Sequence, residues 1–201
     1  MIAVIDYGVG NVGSVLNMLK RIGANGVKTS SKDQILGAEK IILPGVGSFD
    51  SACAKLHSTG LIPVLSEAVQ GNNVDILGIC LGMHLLFKSS TEGDMEGLGF
   101  LPGTVEQFNT DDPSIKIPHM GWNTVAPTDS PLFAQLEEQP RFYFAHSYHV
   151  RCPEEIIIGK THHGYTFPSA VSSGTIHGVQ FHPEKSHAFG LQLLKNFAEG
   201  I

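Results

Sequence analysis

Through its first half the chain alternates short runs of β-branched and aliphatic residues with stretches of helical spacing. The strand-like runs are IAVID at 2–6, GVKTS at 26–30, KIILPG at 40–45 and DILGIC at 75–80. Helical spacing appears in VLNMLKRIG at 15–23, near FDSACAKLH at 49–57, in a stretch beginning at Pro63, and in LGMHLLF at 81–87. That alternation predicts βαβ units on a parallel sheet. From Gly103 the pattern changes to consecutive strands: TVEQF at 104–108, WNTVAP at 122–127, RFYFAHSYHV at 141–150, EEIIIGKTHH at 154–163 and TIHGVQF at 175–181. A helical HAFGLQLLKNFAEG at 187–200 follows. Strands coming after βα units are expected as antiparallel additions to one α/β core. No linker, repeat or low-complexity tract divides the chain, so a single domain over residues 1–201 is expected. NTDDPS at 109–114 reads as an exposed turn.

Composition narrows the partners. With 201 residues, 42% of them hydrophobic, the chain can bury one substantial core. A formal charge of -6 offers no broad basic surface for nucleic acid. No apolar run reaches the roughly 20 residues needed to span a bilayer, and Met1 leads straight into a strand, so no membrane association and a cytoplasmic location are expected. Three cysteines at unrelated spacings suggest neither a disulfide framework nor a zinc knuckle. Ten histidines invite a metal reading. No HExxH or CxxC pairing supports it, and His146 and His149, three apart on one strand, are expected on opposite faces, so neither metal nor cofactor is expected.

The chemistry concentrates in GICLG at 78–82, which has the spacing G-x-C-x-G. This is the thiol counterpart of the strained strand-to-helix elbow that lifts a serine nucleophile in hydrolases. Flanking glycines permit a tight approach that side chains would block. At a helix N-terminus Cys80 would be favoured as the reactive thiolate; the competing reading is a small buried hydrophobe. In GVQFHPEKS at 178–186, Pro183 keeps His182 extended, so that Glu184 can hold the imidazole while the imidazole takes a proton from a thiol. For either residue alone a polar turn is the safer reading, which weakens with a glycine-flanked cysteine upstream. ILPGVGSF at 42–49 follows a strand with a backbone able to turn N–H groups toward a ligand. Those donors and the N–H of Leu81 could form an oxyanion hole, and Ser48 could cap the next helix.

LPGVGSF, GICLGMHLL, IPHMGWN, YFAHSY and GVQFHPEKS together resemble the class I, triad-type glutamine amidotransferases, most closely the glutaminase subunit of imidazole glycerol phosphate synthase. The likeness runs from DYGVGN at 6–11 to LLKNF at 193–197. It implies a flavodoxin-like, three-layer α/β fold with a mostly parallel central sheet and additional antiparallel strands in the C-terminal half. It also implies Cys80 as nucleophile, His182 as general base and then acid, and Glu184 as the residue orienting His182. Val46 and Leu81 would serve the oxyanion, while Gly45, Gly47, Gly82, His84, Ser147 and Tyr148 would bind glutamine. At His84 the family usually carries glutamine.

The resemblance further implies a partner, because ammonia released into neutral water is protonated and lost as a nucleophile. That partner would be the (β/α)8-barrel cyclase subunit of imidazole glycerol phosphate synthase, faced by Asn11, Trp122 and Lys185, in a heterodimer serving histidine biosynthesis. HSYHV and EKSHAFG look more like paralogues that feed ammonia to amidination of a bacterial surface-polysaccharide sugar. A rival of another class is a non-catalytic nucleotide-binding or regulatory subunit. GVGNVG at 8–13 fits G-x-G-x-x-G, yet GVKTSS lacks the acidic residue such sites place after the second strand.

Overall fold

The computed structural model describes residues 1–200 apart from 72, 110, 111 and 114. The expected turn at 109–114 therefore lies partly outside the described residues. Four strands from the first half form as the apolar runs predict: β1 (Ile2–Ile5), β2 (Gly26–Thr29), β3 (Lys40–Gly45) and β4 (Asp75–Cys80). The second half supplies β5 (Thr104–Gln107), β6 (His119–Thr124), β7 (Ala126–Pro127), β8 (Arg141–His146), β9 (Tyr148–Arg151), β10 (Ile157–His163), β11 (Tyr165–Ser173) and β12 (Ile176–Val179). Helices are α1 (Val12–Arg21), α2 (Lys32–Leu36), α3 (Phe49–Ser58), α4 (Leu61–Ser66), α5 (Leu81–Leu85) and α6 (His187–Glu199).

One sheet runs in the order β2-β1-β3-β4-β12-β11-β10-β7. Its β2, β1, β3, β4 and β12 are mutually parallel, and β11, β10 and β7 continue it antiparallel. The expected mixture of parallel core and antiparallel extension is thus present. Two short antiparallel pairs, β5 with β9 and β6 with β8, stand beside it.

Alternation along the parallel strands divides the core into two layers. Ala3, Ile5, Ile41, Leu43 and Ile76 face one side, where α3 contributes Phe49, Ala52 and Leu56. Ile2, Val4, Ile42, Leu77 and Ile79 face the other, covered by Val15 and Leu19 of α1 and by Leu193, Leu194 and Phe197 of α6. Strands buried on both faces must be apolar throughout, which is why these runs show no polar alternation.

Four elements differ from expectation. The five-residue α2 was not predicted, and α4 begins at Leu61 rather than Pro63. The 141–150 run divides at Ser147 into β8 and β9, so His146 and His149 do not take opposite faces of one strand; both rings pack on Phe108, with centroids 5.3 and 4.7 Å away. β11 was not among the expected strands, and it carries Pro168, a residue that strands rarely hold, opposite Lys160. It is accommodated where the β10 register shifts between Gly159 and Lys160.

β1, β3, β4 and β12 end on the same edge of the sheet. Their carboxyl ends deliver the 6–11 turn, the Val46–Gly47 turn, Cys80 and the segment leading to His182 to one place, the usual position of a site in an open α/β sheet.

Candidate active site

Cys80 ends β4 with φ 54° and ψ −110°, a conformation that side chains rarely adopt. The glycines of G-x-C-x-G make it possible. A Cβ on Gly78 would sit 2.6 Å from the Gly82 carbonyl oxygen, and one on Gly82 would sit 1.8 Å from the Leu43 carbonyl oxygen. The chain therefore turns back on β3 with no room for a methyl group. Helix α5 is only five residues long, shorter than the run LGMHLLF suggests.

His182 leaves β12 extended, and Glu184 lies in a 3-10 turn over Pro183–Lys185. Their contact is made: His182 Nδ1 lies 2.9 Å from Glu184 Oε1, with both side chains buried. Ser186 pins the segment, since its Oγ donates to the His182 carbonyl at 2.6 Å and accepts the Tyr143 N–H at 3.0 Å. Burial alone would lower the His182 imidazole, but hydrogen bonds and charge from Cys80 and Glu184 raise it to about 10. A cationic imidazole beside the sulfur is the partner that a thiolate nucleophile needs.

Cys80 and His182 open on a cavity of about 360 Å³. Val46, Gly47, Leu81, His84, Ser147 and Tyr148 contribute to its wall with Cys80, His182 and Lys185. Gly45 and Gly82 do not line it. They meet in close backbone packing, where a Cβ on Gly45 would fall 2.6 Å from the Gly82 nitrogen. The Val46–Gly47 turn is held from below by Tyr7, whose hydroxyl donates to the Pro44 carbonyl at 2.8 Å.

Sequence reasoning missed two contributors. Glu92 lines the cavity, and its Oε2 accepts the Phe49 N–H at 2.9 Å. Its only signal was an acidic residue in an unassigned loop. The other is a buried chain of imidazoles. Asn123 Nδ2 donates to His119 Nε2 at 3.1 Å, His119 Nδ1 donates to His146 Nε2 at 2.9 Å, and His146 Nδ1 donates to the Tyr148 carbonyl at 2.8 Å. The terminal carbonyl only accepts, so every tautomer follows with both rings neutral. Burial lowers His119 to about 4 and His146 well below its ordinary value.

The residues assigned to a partner lie on the same edge. Trp122 is 40% exposed and stacks on His187 at 5.4 Å, while Lys185 Nζ lies 5.6 Å from the Tyr143 ring centroid. Asn11 precedes α1, which packs against the Pro183–Lys185 turn. Met120, 65% exposed, also lines the cavity.

The family described as glutamine amidotransferase class-I matches residues 3–201. The chain belongs to that family. It is 50% identical to imidazole glycerol phosphate synthase subunit HisH 2 of Methanococcus maripaludis, across 98% of each chain. It is 47% identical to the protein of the same name from Pseudomonas aeruginosa, across 99% of each. The fold matches a crystal structure described as glutamine amidotransferase with a TM-score of 0.78 at 18% identity, covering 100% of both chains. It also matches a structure of PurLQS from Thermotoga maritima, with a TM-score of 0.74 at 18% identity over 97% of this chain and 95% of that one. This amidotransferase is therefore an enzyme with a mostly parallel α/β fold.

His84 gives the amidotransferase a measurable acid sensitivity. Fully buried, it is lowered by desolvation to about 4 from 6.5. The folded state thus binds fewer protons than the unfolded chain below about pH 6.5, and the stability contributed by neutral His84 is lost as the pH falls toward 4. Urea unfolding is expected to show a loss on the order of 2 kcal/mol from this residue between about pH 7 and about pH 4.5. His84→Gln should blunt that loss. The same substitution is expected to lower the KM for glutamine or leave it unchanged, and a steady-state titration of glutamate release against glutamine checks this.

Proposed function

We propose that this chain is the glutaminase subunit of an imidazole glycerol phosphate synthase, hydrolysing glutamine at Cys80 and passing ammonia to a (β/α)8-barrel cyclase partner. The observation that carries the reading is the convergence of Cys80 and His182 on one cavity, with Glu184 held against His182 Nδ1, in a chain 50% identical to a protein of that name. The relatives' names support this synthase over the surface-polysaccharide paralogue and over a non-catalytic nucleotide-binding subunit. The chain acts as one amidotransferase domain over residues 1–201, in the cytoplasm, in a heterodimer serving histidine biosynthesis. Among the described residues, no helix is long and apolar enough to cross a membrane.

In the mechanism, the Cys80 thiolate attacks the side-chain amide carbon of glutamine. A C–S bond forms, and the carbonyl electron pair moves onto oxygen, received by the N–H groups of Val46 and Leu81. His182, with Nδ1 held by Glu184, gives the proton on Nε2 to the departing nitrogen. The C–N bond breaks, ammonia leaves, and a γ-glutamyl thioester remains. Neutral His182 then takes a proton from water attacking the thioester. The C–S bond breaks, glutamate departs, and the thiolate–imidazolium pair is restored. Glu92 pairs with the α-ammonium of glutamine, and the Ser147–Tyr148 backbone receives its carboxylate, held in register by the His119–His146 chain.

The patch formed by Asn11, Trp122 and Lys185 is the docking face for the cyclase. Trp122→Ala is expected to raise the Kd for that partner at least about tenfold, because exposed aromatic anchors dominate interface energies. Calorimetric titration measures it.

A chloroketone analogue of glutamine tests the site. Peptide mapping should find the adduct on Cys80 and not on Cys53 or Cys152, with glutamine protecting. An adduct spread over all three cysteines, unaffected by glutamine, would remove the assignment.

A further inference from the structure

Gln180 sits two residues before His182, and its side chain is fully buried between His84 and the nucleophile. Its Oε1 lies 2.8 Å from His84 Nε2, and its Nε2 donates to Cys80 Sγ at 3.9 Å. A carboxamide has one accepting end and one donating end, so its two neighbours decide which way it faces. Gln180 Oε1 can only accept, which makes His84 Nε2 the protonated nitrogen. His84 Nδ1, buried and without a partner among the described residues, is then a bare lone pair. The reverse tautomer would bury an N–H with nothing among the described residues to receive it, a defect rarer in proteins than an unfilled acceptor.

We propose that Gln180 is a donor to the Cys80 sulfur, holding an N–H against the thiolate, and that His84 is the positioning residue that keeps the amide in that orientation. This deepens the assignment of Cys80 as nucleophile and rests on it. His182 and the Ala145 carbonyl also approach the sulfur. The carbonyl, 4.0 Å away, can accept a thiol S–H and repels a thiolate. Gln180 opposes it with a neutral dipole that costs no extra buried charge. If the amide turned round, its oxygen would face the sulfur and add to that repulsion, which is what the His84 N–H prevents. The inference also gives the histidine at position 84 a role toward the nucleophile, separate from any contact with substrate.

The experiment is alkylation of the full chain by iodoacetamide without glutamine, followed across pH, with the labelled cysteine identified by peptide mapping. Gln180→Leu removes the donor. It is expected to slow Cys80 labelling at neutral pH about tenfold and to move the half-point of the profile up by about one pH unit, as loss of a hydrogen bond to a charged group implies. His84→Leu, which frees the amide to turn, should shift the half-point the same way but less. The double variant should be no worse than Gln180→Leu, because the two act through one contact. A purely structural role would lower the unfolding temperature and leave the half-point in place. Should Gln180→Leu fail to fold, Gln180→Met, which also lacks the donor, carries the same test. Wild-type profiles in the folded variants would overturn the proposal while leaving the nucleophile assignment intact. Label on Cys53 or Cys152 with Cys80 unmodified would remove the nucleophile assignment, and this proposal with it.

Discussion

Cys80→Ala is expected to abolish glutamine hydrolysis without unfolding the chain. Removing the nucleophile of a residue set that acts as a unit costs on the order of 10⁴ to 10⁶ in turnover, because the remaining members have nothing to activate. Stability should barely change. Cys80 is 6% exposed, alanine leaves only the volume of one sulfur, and the positive φ is equally strained for either residue. Cys80→Gly separates the two roles further. It should be as inactive as alanine, yet gain on the order of 1 kcal/mol in urea unfolding, because glycine adopts φ 54° at no steric cost. A site that stores strain to hold its sulfur up should behave this way, whereas a merely packed cysteine should lose stability with either change. Stopped assays of glutamate release, paired with urea curves for both variants, decide between them.

Gly82→Ala is expected to be among the most damaging single methyl additions in the described residues. Its Cβ would lie 1.8 Å from the Leu43 carbonyl oxygen, which belongs to the backbone of β3 and cannot rotate away. Either β3 parts from β4 or the elbow opens, and both disrupt the paired residues Gly45 and Cys80. A loss of at least about 3 kcal/mol is expected, at the severe end for a core overpacking. Glutaminase activity in whatever fraction folds should also fall, since the turn that aims the sulfur is no longer the same. Gly13→Ala is the control: it lies in α1 with nothing within 4 Å of the added Cβ, so a gain of about 0.5–1 kcal/mol is expected. Equal effects at the two positions would mean that the close approach of α5 to β3 does not constrain the elbow.

The parts of this molecule legible in the sequence are those where one physical requirement acts on neighbouring residues. β1, β3 and β4 are buried on both faces, so their apolar runs identify them directly. The tight return after Cys80 demands glycine at 78 and 82, and that spacing raised the elbow as one of two readings of Cys80. His182 and Glu184 share one short segment, and their contact was foreseeable from Pro183. What the sequence hides is whatever depends on distant partners. β11 contains a proline that only a shifted register excuses. Gln180 matters through His84, 96 residues away, and His119 reaches His146 across 27 residues. Glu92 enters the cavity from a loop with no periodicity to mark it. Gly45 and Gly82 illustrate the converse: their motif positions were plain, but the close backbone approach that a methyl at either would break is made by residues far apart in sequence.

The measurement that bears most directly on the function is glutamate release by the purified chain mixed with the histidine-pathway cyclase, with and without the cyclase's nucleotide ligand, using Cys80→Ala as the blank. Release that rises strongly on adding ligand and vanishes in the blank is the expected result, because glutamine hydrolysis uncoupled from its acceptor would waste ammonia. Release that stays at the level of the blank, with both proteins folded and the ligand bound, would contradict the assignment to imidazole glycerol phosphate synthesis.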